Sequence, residues 1–209
     1  MEIFECLDTR KTIRKYSDYI PTDDEIKRII NSARLAPAAM NTQNWKFLAI
    51  FNKDIKHKMA DAVLNKYDEI TSRIDEDTAR AVSSYKAHST FFETAPAIIV
   101  CIETNAPSFM GGVLEKANYS KEEISKMRPD SYLLSMGGAV ENMSLAAHAL
   151  GLSSCWMVAP VLAEKAFKEI LNLKEDDKIV TILTIGKPYA DNPNRAPKKP
   201  LEEVMEIIK

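Results

Sequence analysis

The sequence predicts one mixed domain in which four short apolar strands are set among helices. Four runs of strand length, residues 47–51, 97–102, 153–158 and 178–185, are dense in apolar and β-branched side chains. Between them, apolar residues recur every three or four positions, the period of a helix with one buried face. Composition does not break along the 209 residues, so a single domain spanning 1–209 is expected.

In chain order, residues 2–7 read as a short helix with Ile3, Phe4 and Leu7 on one side. A basic stretch follows, Thr9-Arg10-Lys11-Thr12-Ile13-Arg14-Lys15-Tyr16, and Pro21 closes it. Thr22-Asp23-Asp24-Glu25 is a capping box: the Thr22 hydroxyl can accept from the Glu25 N–H while the Glu25 carboxylate reaches back. It opens a helix with Ile26, Ile29, Ile30 and Ala33 on its apolar face, stopped ahead of Pro37. Residues 37–45 form a loop of small and amide side chains that carries no charge. The strand at 47–51 is expected to be buried on both faces. Asn52 and Asp54 open a helical segment with Met59, Val63 and Tyr67 at intervals of four, and the polar residues 75–77 are a point where it could divide.

Residues 104–130 mix Pro107, Gly111 and Gly112 with Lys and Glu. They read as a long, partly ordered loop with one short helix at 121–126, and loops of that length often cover a site. The helix at 132–150 is rich in small residues, among them Gly137, Gly138, Ala139, Ala146, Ala147 and Ala149. Such a surface admits another backbone or a flat ligand, and a tightly packed core helix has the same composition. Gly151 is placed to cap it in the left-handed conformation. A helix is expected at 160–171. The proline-rich tail at 189–200 should be extended and carries Arg195, Lys198 and Lys199; residues 201–208 could form a last helix or strand.

Composition excludes several classes. The net charge of −2 gives no bulk attraction to nucleic acid or to an anionic membrane, so any anion site must be local. The three cysteines, Cys6, Cys101 and Cys155, lie in apolar neighbourhoods without a CxxC, which predicts buried thiols and a reducing, cytoplasmic setting. His57, His88 and His148 lack metal-ligand spacing, so no metal is expected. The stretch 142–163 is free of Asp, Glu, Lys and Arg, but polar residues and Gly151 interrupt it, which fits a buried helix, a turn and a strand rather than a membrane span.

The basic stretch is the strongest chemical signal. Four cations and two hydroxyls fall within seven residues. A phosphate uses both, since Arg offers a fork of N–H donors and a hydroxyl adds one more. A solvated basic turn would explain the same residues when they are taken alone.

R-K-T-I-R-K-Y, then A-P-A-A-M-N-T-Q-N-W-K-F, A-L-G-L-S-S-C-W-M, I-G-K-P and K-K-P-L-E-E-V, in this order and spacing, resemble the FMN-dependent nitroreductase family across almost the whole chain. The resemblance implies an α+β fold, a mostly antiparallel central sheet flanked by helices, built as an intertwined homodimer with FMN at the interface. It implies that Arg10, Lys11, Thr12 and Arg14 hold the FMN phosphate and ribityl chain, with Lys11 and Thr12 standing in for the family's usual Arg and Ser. Pro37, Ala38, Ala39 and Asn41 would approach the flavin from the partner subunit, Ala38 lacking the hydroxyl usual there, and Gln43 would brace that loop. Trp156, Met157, Val158 and Ala159 would lie beside the ring and offer it a backbone N–H. Ser135 is at a position that can reach the flavin, and Lys198 and Lys199 match a basic pair that returns to the phosphate, with Arg195 a further candidate.

The activity implied is hydride transfer from NAD(P)H through noncovalent FMN to a nitroaromatic, quinone or similar small acceptor, in ping-pong order, with no side chain acting as catalytic acid, base or nucleophile. The same fold could serve a specialised flavoenzyme, a reductive dehalogenase or a flavin-consuming type, or an FMN-binding protein without turnover. The 104–130 segment would decide among the enzymes. No GxGxxG supports a dinucleotide-binding fold.

Overall fold

The structure, a computed structural model, describes residues 1–104, 108–127, 130–190 and 197–209. Four strands, β1 (Trp45–Ile50), β2 (Ala97–Glu103), β3 (Ser153–Met157) and β4 (Lys178–Gly186), form one sheet in the order β1-β2-β4-β3. Every pairing is antiparallel. The helices are α1 (Ile3–Thr9), α2 (Asp23–Ala33), α3 (Lys53–Thr71), α4 (Glu76–Thr90), α5 (Phe109–Lys116), α6 (Lys121–Met127), α7 (Ser131–Ala149) and α8 (Glu164–Ile170).

The central strand β2 explains the layering. Its side chains alternate between faces, as the pleat requires. Ile98, Val100 and Ile102 enter one core with Met59, Val63 and Tyr67 of α3, Phe92 and Phe167 of α8. Ala97, Ile99 and Cys101 enter the other with Ile29 and Ala33 of α2 and with Met136, Val140 and Met143 of α7. The sheet is therefore the middle of three layers, an α+β arrangement with helices on both faces.

Local chemistry sets the helix starts. Thr22 Oγ1 accepts from Glu25 N at 3.2 Å while Thr22 N donates to Glu25 at 2.8 Å, so the capping box forms. Asp75 caps α4 through Thr78 N, which divides the long helical segment at the expected polar break. Asp130 caps α7 by accepting from Tyr132 N and Leu133 N. Gly151, at φ 73°, ends α7 as expected.

Four expectations are corrected. β1 is an edge strand with Lys46 and Ala49 exposed, not a strand buried on both faces, because β2 is its one neighbour in the sheet. Among its described residues the 104–130 segment has two helices, α5 as well as α6. The run 160–171 begins as a 3-10 turn, Ala159–Ala163, before α8. At the C-terminus, 201–208 forms one 3-10 turn, Leu201–Glu203, and no longer helix or strand. In α1 it is Cys6 that turns inward, while Ile3, Phe4 and Leu7 face outward.

Candidate functional site

The basic stretch lies along the outer edge of the sheet. Ile13 N donates to Ser154 O at 3.0 Å, which pairs Thr12 in parallel with Ser154 of the edge strand β3. Further on, Ser17 N donates to Lys187 O and Tyr189 N to Lys15 O, pairing Tyr16 with Pro188. The strand-like alternation buries Ile13 and turns Thr12 and Arg14 outward. Tyr16 locks this path: its hydroxyl donates to Ile13 O at 2.7 Å and lies 2.6 Å from Thr184 Oγ1 in β4. Burial pushes the Tyr16 phenol well above its ordinary range, so it stays a neutral donor. Sequence reading gave Tyr16 no role; its partner lies 168 residues away, beyond any local pattern.

Helix α7 fixes where the stretch begins. Glu141 Oε1 lies 3.3 Å from Arg10 Nε, and Cys6 Sγ donates to Leu145 O. His148 Nε2 lies 2.8 Å from Thr9 Oγ1. The single Thr9 hydroxyl proton is directed to Glu5 O at 2.6 Å, so the His148 ring is the donor to Thr9. Burial and then Arg10 hold the His148 pKa below its usual value. The sequence gives Glu141 no role and His148 none beyond its lack of metal-ligand spacing, because their partners lie more than 130 residues away.

The end of β3 supplies an apolar shelf. Met157 points into the core, while Trp156, Val158 and Ala159 stand exposed, Trp156 to 42%. A Cβ on Gly137 would sit 3.8 Å from the Trp156 ring, so that ring rests beside bare backbone of α7. Thr12, Arg14 and the Trp156 end thus adjoin the same edge strand, with donors at one part and an aromatic at the other. That set suits a ligand with an anionic arm and a flat apolar body, which is the shape and charge of FMN.

The loop with Pro37, Ala38, Ala39 and Asn41 packs elsewhere. Ser135 Oγ accepts from Ala39 N at 3.1 Å and donates to Ser131 O at 2.8 Å. The Ser135 hydroxyl therefore fastens the loop to α7. Met40, Asn41 and Gln43 hold positive φ of 53°, 52° and 48°, which for non-glycine residues is strained backbone. Gln43 Nε2 donates to Asn41 Oδ1, and buried Asn44 ties the loop to Thr104. Ser135, Gly138 and Asn142 meet the loop and α2, whereas Gly137, Glu141 and His148 meet β3 and α1. These two faces of α7 are roughly 100° apart around its axis.

Lys198 and Lys199 are exposed, and among the described residues no hydrogen bond or ion pair ties them to the basic stretch. Arg195 lies outside the described residues. A second feature borders the 104–130 segment: a cavity of about 290 Å³ between α5, α6 and the start of α7, lined by Ser108, Glu115, Lys121, Ile124, Asp130 and Tyr132 among others. No group of three or more His, Cys, Asp or Glu that could hold a metal occurs among the described residues, and no described helix is long and apolar enough to cross a membrane.

Comparison with known proteins agrees with this fold. The model of the Nitroreductase family matches residues 7–187. The structure of a BluB-like flavoprotein from Clostridium difficile 630 superposes over the full length of both chains with a TM-score of 0.90 and 28% identity. A protein of Archaeoglobus fulgidus, which bears the provisional name NADH dehydrogenase/NAD(P)H nitroreductase, is 28% identical over 88% of this chain and 86% of its own. The iodotyrosine deiodinase of Nematostella vectensis is 25% identical over 98% of this chain and 74% of its own.

Proposed function

The chain belongs to the nitroreductase family, and on that footing we propose that it is an FMN-dependent oxidoreductase reduced by NAD(P)H. The observation that carries this reading is the joining of the basic stretch to β3: Thr12 pairs with Ser154, two residues before Trp156. Arg10, Lys11, Thr12 and Arg14 would hold the phosphate and ribityl chain. Trp156, Val158 and Ala159 would flank the ring, and a backbone N–H at this strand end would face its N5; Met157 contributes backbone, since its side chain is in the core.

FMN, when bound, supplies the two-electron chemistry, passing hydride from NAD(P)H to a nitroaromatic, quinone or similar small acceptor in alternating half-reactions. The chain's own part is binding, orientation and exclusion of water. The side chains at the shelf, Trp156, Val158 and Ala159, carry no titratable group, which supports the reading that no side chain acts as acid, base or nucleophile.

The working unit proposed is a homodimer. The Pro37–Asn41 loop packs on a different face of α7 from the basic stretch, so the loop of a second copy would complete each site. Apolar side chains left exposed on α1 (Ile3, Phe4), at the start of α7 (Leu133, Leu134) and in the tail (Ile207, Ile208) support this. Lys198 and Lys199 would return to a phosphate in that assembly, and the setting proposed is the cytoplasm.

The test is direct. Purified protein should carry or take up noncovalent FMN, and NADH or NADPH should bleach the flavin absorbance without oxygen. Protein that takes up no FMN sinks the reading; FMN that no nicotinamide bleaches leaves a flavin-binding protein without turnover.

Two observations favour a narrower second reading. The likeness to the BluB-like flavoprotein spans both whole chains at a TM-score of 0.90, and a deiodinase is among the relatives. A specialised flavoenzyme, a reductive dehalogenase or a flavin-consuming type, would use α5 and α6 to select its substrate. Turnover of halogenated phenols, or loss of FMN during aerobic incubation with NAD(P)H, separates these from a general nitroreductase.

A further inference from the structure

We propose that Glu141 is a positioning residue that aims the Arg10 guanidinium at the flavin phosphate, an inference that rests on the FMN reading above. A guanidinium is a rigid plane with five N–H donors, and its two edges are distinct. Glu141 Oε1 lies 3.3 Å from Nε and so occupies the Nε edge. With the carboxylate beside Nε, the two Nη groups remain as a fork for two phosphate oxygens. The Arg10 and Glu141 side chains are 24% and 40% exposed, so the pair is partly shielded from water and salt.

Glu141 is also set on a prepared stripe. Positions 141, 145 and 148 follow at i, i+4 and i+7, one face of α7. Each contacts α1 or its C-cap: Glu141 forms an ion pair with Arg10, the Leu145 carbonyl accepts from the Cys6 thiol, and His148 meets the Thr9 hydroxyl. Two of these hold the Cys6 thiol and the Thr9 hydroxyl. The bond from Glu141 reaches the guanidinium itself. A carboxylate beside an anion site would by charge alone oppose phosphate binding, so its placement there calls for a benefit, and fixing one long, otherwise freely rotating side chain is that benefit.

The experiment compares FMN with riboflavin, which differ by the phosphate alone. Both flavins are titrated by fluorescence quenching into the full-length chain stripped of flavin, as wild type, Glu141→Ala, Glu141→Gln, Arg10→Ala and the Arg10→Ala/Glu141→Ala double variant. Loss of orientation should weaken FMN about tenfold in Glu141→Ala, the scale of one charged hydrogen bond, with riboflavin affinity unchanged. Glu141→Gln keeps a polar oxygen of the same shape beside Nε and should restore most of the loss. The double variant should bind FMN no more weakly than Arg10→Ala, since both changes remove one interaction.

Equal weakening of both flavins in Glu141→Ala would assign Glu141 to holding α1 against α7 and would overturn the proposal. Tighter FMN binding in that variant would make Glu141 a competitor for Arg10, with the same consequence. Wild-type protein that binds neither flavin, or binds riboflavin as well as FMN, defeats the phosphate reading itself and the proposal with it. Should Glu141→Ala fail to fold by circular dichroism, Glu141→Gln decides: FMN binding near wild type supports aiming by the oxygen acceptor, and riboflavin falling in step with FMN overturns it.

Discussion

Single residues decide how firmly the candidate site is held. Gly186 ends β4 where a Cβ would lie 2.8 Å from the Tyr16 ring and 2.9 Å from the Pro96 ring. Neither is the free end of a flexible side chain, so Gly186→Ala should destabilise the fold by about 1–3 kcal/mol, seen as a lower urea midpoint. Arg10→Ala should raise the FMN dissociation constant by about 10- to 100-fold, the loss of a charged hydrogen bond worth about 1.5–3 kcal/mol. Glu103 gives a pH-dependent case. Its Oε2 is buried and has no hydrogen-bond partner among the described residues, with Lys178 Nζ 3.9 Å away. Burial raises its pKa above the ordinary 4.5, Lys178 draws it partly back, and Asp130 adds to the rise. A carboxyl with a raised folded pKa weakens the fold as pH rises through that value, because the folded state holds the proton longer than the unfolded chain. Glu103→Gln should therefore melt higher than wild type at pH 7, and the difference should vanish below about pH 4.5.

At the scale of elements, the caps were legible and the partnerships were not. The Thr22–Glu25 box and the Asp75 break could be read directly because each acts within four residues. Thr22→Ala should lower stability by about 1 kcal/mol in chemical denaturation, with FMN affinity unchanged. Helix α5 escaped notice because Gly111 and Gly112 lower its propensity and its Ser108 cap is one serine among many. The edge position of β1 escaped for another reason: an apolar run shows that a strand wants cover, not how many neighbours it finds. The face of α7 toward α1 was hidden because its partners, Cys6, Thr9 and Arg10, lie more than 130 residues upstream. α5 and α6 border one cavity with the start of α7. Replacing residues 109–127 by a short linker should leave FMN affinity within about twofold but change the preference among acceptors, measured as relative kcat/KM, if this segment selects the substrate.

For the whole molecule, exposed apolar surface is the main unsolved feature of a single chain. Val204, Met205, Ile207 and Ile208 stand exposed beyond the last 3-10 turn. Sedimentation should give twice the 23.5 kDa of one chain. Truncation after Pro200 should shift that species toward monomer and weaken FMN in parallel, since each proposed site draws on both copies. A tailless chain that remains dimeric with full FMN affinity would refute the tail's part in the assembly.

The sequence by itself determined what depends on neighbours a few residues apart: strand runs, helix caps, the glycine that ends α7, and the charge and hydroxyl pattern of residues 9–16. Together with motif order, that sufficed to place the chain in its family. Tertiary structure decided which of those signals meet. It put Thr12 against Ser154, locked the path through Tyr16 and Thr184, set Arg10 on Glu141, and sent the Pro37–Asn41 loop to another face of α7. Such pairings join segments far apart in sequence, and their free energy comes from burial and hydrogen bonds that exist only once the sheet has ordered them.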